Sequence, residues 1–514
     1  MRVVGDILRL NAKRFPNRIA LVMDDRHFTY QELNQQVNQL AHGLISLRVK
    51  PMDKVAVLAN NSPEWVIIAY AVAKCGAAVV PVNYRYKKDE LVHVVNNSEC
   101  SAIFFGPEFA ALVDEATPEF ERSPHLIPLA GEAMDTGLSF TGLVKDNPTS
   151  EPPIEVNPEW PVSLTYTSGT TGRPKGVLAS HFAFLNIYVG LVVEGGVGDD
   201  EIILVSLPFF HVSGLHALVQ PTFLRGGTVV IAGGGFDPDK VLHAVARHKV
   251  TMTMWVPTQL AMLVNSSAVS RYDVSSLKKI WYGSSPITPP VLEASMEQFG
   301  ASFYQWYGQT ETGMVSVLPP QDHFGERAQF TGREFFNADL RIVDESDNDV
   351  PVGGVGEIVS CQTGLGMIGY HNLEMETRAT VRNGWIHTGD VGRAEGNGYF
   401  TIVDRIKDMI ISGAENIYPK EIEDVISRHP KVREVAVFGI PDDVYGESVC
   451  AAIVPKPDSD VQDQEIIDFC ASRLSGYKKP KRVIVVTEMP KNAFGKVTKN
   501  ILREPFWAGR GKRI

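Results

Sequence analysis

From Thr167 through Ser168, Gly169, Thr170 and Thr171 to Gly172, every residue is Ser, Thr or Gly, and Arg173-Pro174-Lys175-Gly176 follows. Such a run sets hydroxyls beside backbone N–H groups that no bulky side chain obstructs, a composition suited to holding phosphate oxygens. Lys175 adds a positive charge. A flexible linker would share the Ser/Thr/Gly composition, but it would need neither Arg-Pro-Lys-Gly nor the apolar run before it. A P-loop would place Ser or Thr after its lysine, where this chain has Gly176. The segment reads as a phosphate loop of another kind.

A loop of this kind needs a rigid mount. Pro161 to Tyr166 alternates as a strand does and feeds directly into it. From Lys54 to Phe105 the chain reads as strand, helix, strand, helix, strand: Lys54–Ala59, Pro63–Lys74, Ala77–Val82, Lys88–Asn97 and Ala102–Phe105. That order marks a parallel sheet covered by helices. The pattern resumes with apolar runs at Ile202–Leu207, Thr228–Ile231, Val250–Trp255 and Lys279–Tyr282. Between them, Pro107–Asn157 reads as a surface connection. From Ala338 to Ser360 short, Gly-punctuated strands suggest a small β unit. Beyond Asp404 the pattern becomes a compact α+β arrangement. The expected class is α/β, with a large N-terminal region of layered sheets over residues 1–404 and a smaller, mobile α+β domain over 405–514.

At 514 residues the chain exceeds one ordinary core. Hydrophobic residues at 44 % and charged residues at 21 % fit a globular protein, and a net charge of -11 argues against nucleic acid as the main partner. The five cysteines lack metal-binding spacing and fit a reducing compartment. Asp6 and Arg9 interrupt any N-terminal signal peptide, and the terminal Gly-Lys-Arg-Ile is not a peroxisomal address, so the expected location is cytoplasmic. Trp65–Val82, broken by Lys74, Gly76 and Pro81, falls short of the ~20 apolar residues of a membrane span. Peripheral membrane contact and a homodimer stay open.

The run Tyr166 to Gly176 resembles the signature of the adenylate-forming superfamily, which includes acyl-CoA synthetases, luciferases and the adenylation domains of peptide synthetases. The similarity extends over nearly the whole chain, with the motifs in the family's order, and is greatest to AMP-forming acyl-CoA synthetases of the fatty-acyl-CoA ligase type. It implies ATP and CoA as co-substrates, Mg2+ as cofactor, and activation of a carboxylic acid as acyl-AMP with loss of pyrophosphate before transfer to CoA. The acid implied is a medium- or long-chain fatty acid. An aryl or cyclic carboxylate, or a stand-alone adenylation enzyme loading a carrier protein, is the alternative.

Within that resemblance, Trp306-Tyr307-Gly308-Gln309-Thr310-Glu311 follows a predicted strand at Ser302–Gln305, at the end where open sheets bind ligands. Tyr307 and Gly308 would bracket adenine, Thr310 would meet phosphate, and Glu311, with Thr167, would hold Mg2+, a hard cation that takes oxygen ligands. On its letters alone the segment also suits a helix N-cap with an acidic first turn. Gly283, Ser284 and Ser285 form the turn between adenine and acid, with Gly283, Gly308, His211 and Val212 lining the acyl side; a plain turn and an aromatic core cluster are the simpler readings. Asp390 would accept from the ribose hydroxyls, and Arg405 fills the second ribose or phosphate position. Lys496 would steady negative charge between carboxylate and α-phosphate. Lys407 would be the hinge, and Gly413, Ala414 and Glu415 the CoA face. Gly364-Leu-Gly366-Met-Ile-Gly369 fits a dinucleotide fingerprint, but neither a clear strand before it nor an apolar-periodic helix after it supplies the context.

Overall fold

The helix Pro63–Lys74 shows why the N-terminal region layers as it does. Ser62 accepts the Trp65 N–H, Pro63 occupies the first turn, and every residue except Glu64 is buried. A helix apolar on all sides must lie inside, and this one lies beside the sheet formed by its neighbouring strands. The computed structural model describes residues 1–130, 137–145, 147–167, 174–405, 408–412, 415–442, 444–491 and 496–508.

That first sheet has seven strands. Lys54–Leu58 is flanked in parallel by Ala78–Pro81 and Ala102–Phe105, with His125–Pro128 outside the latter. On the other edge Pro161–Thr167 joins Ala78–Pro81 in parallel, Lys175–Ser180 folds back against it, and Gly369–Tyr370 closes the edge. The stretch expected as a surface connection is therefore corrected. It supplies His125–Pro128, the helices Ala110–Ala116 and Phe140–Val144, and Glu151, whose carboxylate accepts at 2.7 Å from the buried Lys74 ammonium. Asn34 and Asn38 accept the other two Lys74 N–H groups, so all three donors are used.

The second sheet has fourteen strands and two halves. From Ile19–Met23 through Thr228–Ile231, Ile202–Val205, Met252–Trp255 and Lys279–Gly283 to Ser302–Gln309 the pairing is parallel. From Gly313–Leu318 onward it is antiparallel, reaching Leu340–Val343 by way of Gly332–Glu334, Tyr399–Arg405, Trp385–Gly396 and Val355–Cys361. The small β unit is thus in line with the main sheet, joined through the three-residue strand Gly332–Glu334.

The C-terminal region builds a five-stranded sheet around the long pair Val432–Asp442 and Gly446–Pro455. Side chains alternate across this pair: Val437, Val449, Ala451 and Ile453 enter one core, Ala436, Phe438, Cys450 and Ala452 the other. Helices Pro419–Ser427 and Asp463–Ala471 and, in the chain's last stretch, Lys499–Trp507 accompany it. The Tyr399–Arg405 strand runs across the expected division after Asp404. Among the described residues no helix is long and apolar enough to cross a membrane.

Candidate active site

The loop expected to hold phosphate joins two antiparallel strands, with Thr167 and Lys175 facing each other in register. Thr167 Oγ1 lies 3.5 Å from the Lys175 carbonyl. Ser168, Gly169, Thr170, Thr171 and Gly172 lie outside the described residues. The Lys175 ammonium stands 5.3 Å from the centroid of the Tyr370 ring, a cation–π distance. The Tyr370 hydroxyl in turn donates to Glu311 Oε1 at 2.9 Å. Burial, with the Glu311 charge beside it, pushes this phenol above its ordinary range, so it keeps its proton and stays a donor.

Tyr370 gives no local sign of itself in the sequence. Its strand is two residues long, too short to show alternation, and only its pairing with Val177 brings it to the loop. The Gly364–Gly369 run also serves Glu311, because the Met367 N–H donates to the Glu311 carbonyl at 2.8 Å and fixes the turn from which Glu311 projects. It joins the strand Val355–Cys361 to the two-residue strand Gly369–Tyr370, and the helix Glu374–Thr380 begins only after that strand, so the glycine run does not open a helix as a dinucleotide loop does.

Tyr307 and Gly308 are inside a strand that runs to Gln309, four residues beyond its predicted end. Thr310, Glu311 and Thr312 turn the hairpin into Gly313–Leu318, so the helix N-cap alternative does not form. Glycine at 308 is required by its own neighbours, since a Cβ there would sit 2.1 Å from the Gly313 carbonyl oxygen. At Gly283 a Cβ would meet the Trp306 oxygen at 2.3 Å. Ser284 takes a left-handed φ of 67°, unusual for a residue with a Cβ, and its hydroxyl lies 3.4 Å from that of Ser213. Ser285 is half-buried beside it.

Asp390 is 4 % exposed and its carboxylate is already well supplied with donors. Oδ1 accepts from Arg405 Nε at 3.0 Å, and Oδ2 accepts from the Tyr307 hydroxyl at 2.9 Å and Gln309 Nε2 at 2.8 Å. A carboxylate offers roughly four acceptor positions, so a pair of vicinal hydroxyls would need one of these donors to turn away. Arg405, with 44 % of its side chain exposed, is the one able to do so. Glu357, also silent in the sequence, clasps the turn before Asp390: Oε1 accepts the Gly389 N–H at 2.9 Å, and Oε2 lies 2.8 Å from His387 Nδ1. Its partners lie 30 or more residues away, which no local pattern reveals.

His211 opens the helical segment that begins at Val212. The Ser213 N–H donates to His211 Nδ1, which assigns the ring proton to Nε2. Burial and the nearby Lys496 ammonium push this imidazole down to about 3, so it is neutral at working pH. Lys496, from the C-terminal region, thus bears on the residue that opens the expected acyl side. Val212 is part-exposed beside His211. Lys407, Gly413 and Ala414 lie outside the described residues; the Glu415 backbone pairs with Ser412 in a short hairpin. Asp404 accepts the Lys420 N–H at 3.1 Å, and burial raises its carboxyl to about 6.

Comparison with known proteins gives the family. Residues 8–371 match the family described as AMP-binding enzyme, and 421–496 match the AMP-binding enzyme C-terminal domain. The chain is 35 % identical to the fatty acid–[acyl-carrier-protein] ligase ScoC of Streptomyces coeruleorubidus, over 98 % of this chain and 96 % of that protein. It is 35 % identical to a feruloyl-CoA synthase of an Amycolatopsis species, over 96 % and 97 %. The crystal structure of the anthranilate CoA ligase AuaEII with anthranoyl-AMP aligns with a TM-score of 0.92 at 26 % identity, covering 98 % of this chain and 97 % of that one. The chain belongs to the AMP-binding enzyme family, the adenylate-forming superfamily, and is an acid-thiol ligase of it.

Proposed function

We propose that this enzyme activates a carboxylic acid as its acyl-adenylate and passes the acyl group to CoA. One observation carries the reading. Arg405, Tyr307 and Gln309 meet on Asp390, and two residues beyond Gln309 the chain carries Glu311, which Tyr370 links to Lys175 at the edge of the Ser/Thr/Gly loop. Such a line runs from the carboxylate that would take the ribose to the loop that would take the terminal phosphates, the order in which a nucleoside triphosphate presents them.

In this reading the acid's carboxylate oxygen attacks the α-phosphorus of ATP, and the bond to the β-phosphate oxygen breaks to release pyrophosphate. Lys496 steadies the charge that builds between acid and phosphate. Thr167, Lys175 and the loop hydroxyls hold and then release pyrophosphate. CoA thiolate next attacks the acyl carbon and AMP leaves, a better leaving group than oxide. The division into residues 1–404 and 405–514, with rotation about Lys407, would exchange Lys496 for the Gly413–Glu415 face between the two steps.

Mg2+ fits the residues present. Among the described residues no group of three or more His, Cys, Asp or Glu could hold an ion alone. Glu311 offers one carboxylate beside the phosphate loop, and Mg2+ commonly takes one or two carboxylates, with substrate phosphates and water completing its shell. When bound it would neutralise phosphate charge; Glu311 orients it, and Tyr370 orients Glu311.

For the acid, a medium- or long-chain fatty acid suits the apolar segment Phe209–Val212 and the relative named for a fatty acid. An aryl or cyclic acid is the second reading, favoured by the stacked wall of Phe184, Tyr188 and His216. The decisive experiment measures acid-dependent AMP release over fatty, aryl and cyclic acids, with free CoA and with a phosphopantetheinyl carrier protein. Thioester formed on the carrier and never on CoA would reassign the acceptor, and no AMP with any acid would refute the ligase reading.

A further inference from the structure

His216 is a buried imidazole with one nitrogen paired and one left over. It sits on the π-helical turn Leu215–Val219, is 6 % exposed, and lies nearly parallel to Phe184 with ring centroids 4.0 Å apart. Its Nδ1 is 2.6 Å from the Tyr188 hydroxyl. Its Nε2 has no partner among the described residues. Burial pushes the ring down to about 3, so it carries a single proton. If Nδ1–H donated to the phenol oxygen, both the phenol proton and the Nε2 lone pair would go unused. If the phenol donates to Nδ1, only one group is stranded, an Nε2–H donor. Buried polar groups without partners are rare, and π-helical turns gather at functional sites.

The surroundings say what would meet that donor. Val212, part-exposed beside His211, lies four residues earlier on the same helical segment. The widened π turn keeps residues four apart on one face, so His216 stands one turn further in along the wall that begins at Val212. The opposite wall is the helix His181–Glu194, whose buried face carries Phe184, Ile187 and Tyr188. Ile187 abuts the start of the strand after the Thr310–Thr312 turn: a Cβ at Gly313 would come within 2.4 Å of its Cδ1. The aromatic wall therefore reaches the turn that carries Thr310 and Glu311.

We propose that His216 is a specificity-determining residue: the chamber beyond Val212 takes a carboxylic acid bearing an acceptor oxygen, a hydroxyl, ether or carbonyl, on an otherwise apolar skeleton, and His216 Nε2–H donates to that oxygen. This rests on the acid-ligase reading above. The oxygen lies remote from the carboxylate, and it takes no part in bond making.

The test compares matched acids within one enzyme: cinnamate against its ring-hydroxylated and ring-methoxylated forms, and decanoate against chain-hydroxylated and oxo forms, read as kcat/KM for acid-dependent AMP release. The wild type should prefer one oxygenated member about tenfold or more, and His216→Phe should bring that ratio to about one. Because the ratio is internal to each preparation, partial misfolding does not move it. Tyr188→Phe, which frees Nδ1, should lower the ratio part of the way and serves if His216→Phe fails to fold. Turnover of these acids with no oxygen preference, or a preference unchanged in both variants, overturns the inference and leaves the ligase reading standing. AMP from no acid at all removes both.

Discussion

Asp390 and His216 are both buried side chains of the same large region, and the protein treats them in opposite ways. Asp390 has three donors on its two oxygens, from residues on two other strands. His216 has one partner on its two nitrogens, and the rings around it contribute only stacking. On the proposed reading the nucleotide side is therefore fixed by side chains bonded to each other before any ligand arrives. The side proposed for the acid is shaped by packing, with His216 Nε2 among the buried polar atoms left without a partner. Preorganised donors suit a ligand that never changes, because they need no rearrangement at the moment of reaction. A packed chamber with one polar contact suits a site whose specificity is decided by the substrate's skeleton.

The change that should break the nucleotide side most completely is Lys496→Ala. Adenylation, followed as acid-dependent exchange of pyrophosphate into ATP, should fall by roughly 100- to 1000-fold, the scale of losing one charge-stabilising donor. Thioester formation from supplied acyl-adenylate and CoA should be largely kept. Equal loss in both half-reactions would remove Lys496 from the role given to it. Asp390→Ala comes next. It strands Arg405, Tyr307 and Gln309 together, so unfolding free energy should drop by about 2 to 3 kcal/mol, below the ~3 to 5 of a fully buried pair because Arg405 is part-exposed. ATP should bind weakly, and the penalty for replacing it with its deoxyribose analogue should vanish; a penalty that persists would mean the ribose is held elsewhere.

Tyr370→Phe sharpens the comparison by removing one bond and leaving the ring under Lys175. The Glu311 carboxylate then loses its fixed orientation, and a net hydrogen bond to a charged group is worth about 1.5 to 3 kcal/mol. We expect the apparent KM for Mg2+ and ATP to rise about tenfold, on that scale, with kcat kept at saturation. A calorimetric titration of Mg2+ with ATP present reads the same loss without turnover. Tyr370→Leu should add a loss of pyrophosphate affinity, because the cation–π face goes too. An unchanged KM in both variants would make Tyr370 a packing residue only.

What the sequence made legible follows the same division. The strand leading into Thr167, the parallel strands and Pro63–Lys74 were readable because each is a local pattern several residues long; the return strand Lys175–Ser180 that makes the loop a hairpin was not read. The family resemblance extended the expectation to Glu311, Asp390, Arg405 and Lys496, whose roles belong to the proposal above. Tyr370 and Glu357 were not readable, since each acts through a partner at least 30 residues distant and sits in a strand whose local letters say nothing of it. Pro107–Asn157 failed for a related reason: its edge strand is four residues long, its helices seven and five, and its carboxylate closes on Lys74, 77 residues earlier. His216 lay in an apolar run that reads as plain core, and only the π turn and an unpaired nitrogen set it apart. Sequence shows what neighbours do together; it hides what one residue does at a distance.

The smallest expected effect concerns the junction, where pairing is weakest. Asp404 accepts the N–H groups of Arg405 and Lys420, yet burial outweighs these bonds and the nearby Lys499 charge, raising its carboxyl from an ordinary value near 3.8 to about 6. A carboxyl raised in the fold favours the folded state most at low pH, and that advantage is lost as pH rises through the folded value. Above about pH 6 the ionised group is a steady cost. Asp404→Asn removes the titration, so its stability relative to wild type should rise by about 1 kcal/mol between roughly pH 5 and 7.5 and flatten beyond. Chemical denaturation at a series of pH values measures the gap. A gap that stays constant, or shrinks as pH rises, would show that the Lys420 cap and Lys499 already hold Asp404 ionised. The junction would then belong with the well-paired nucleotide side, and the contrast drawn from Asp390 would extend to the edge of the C-terminal region.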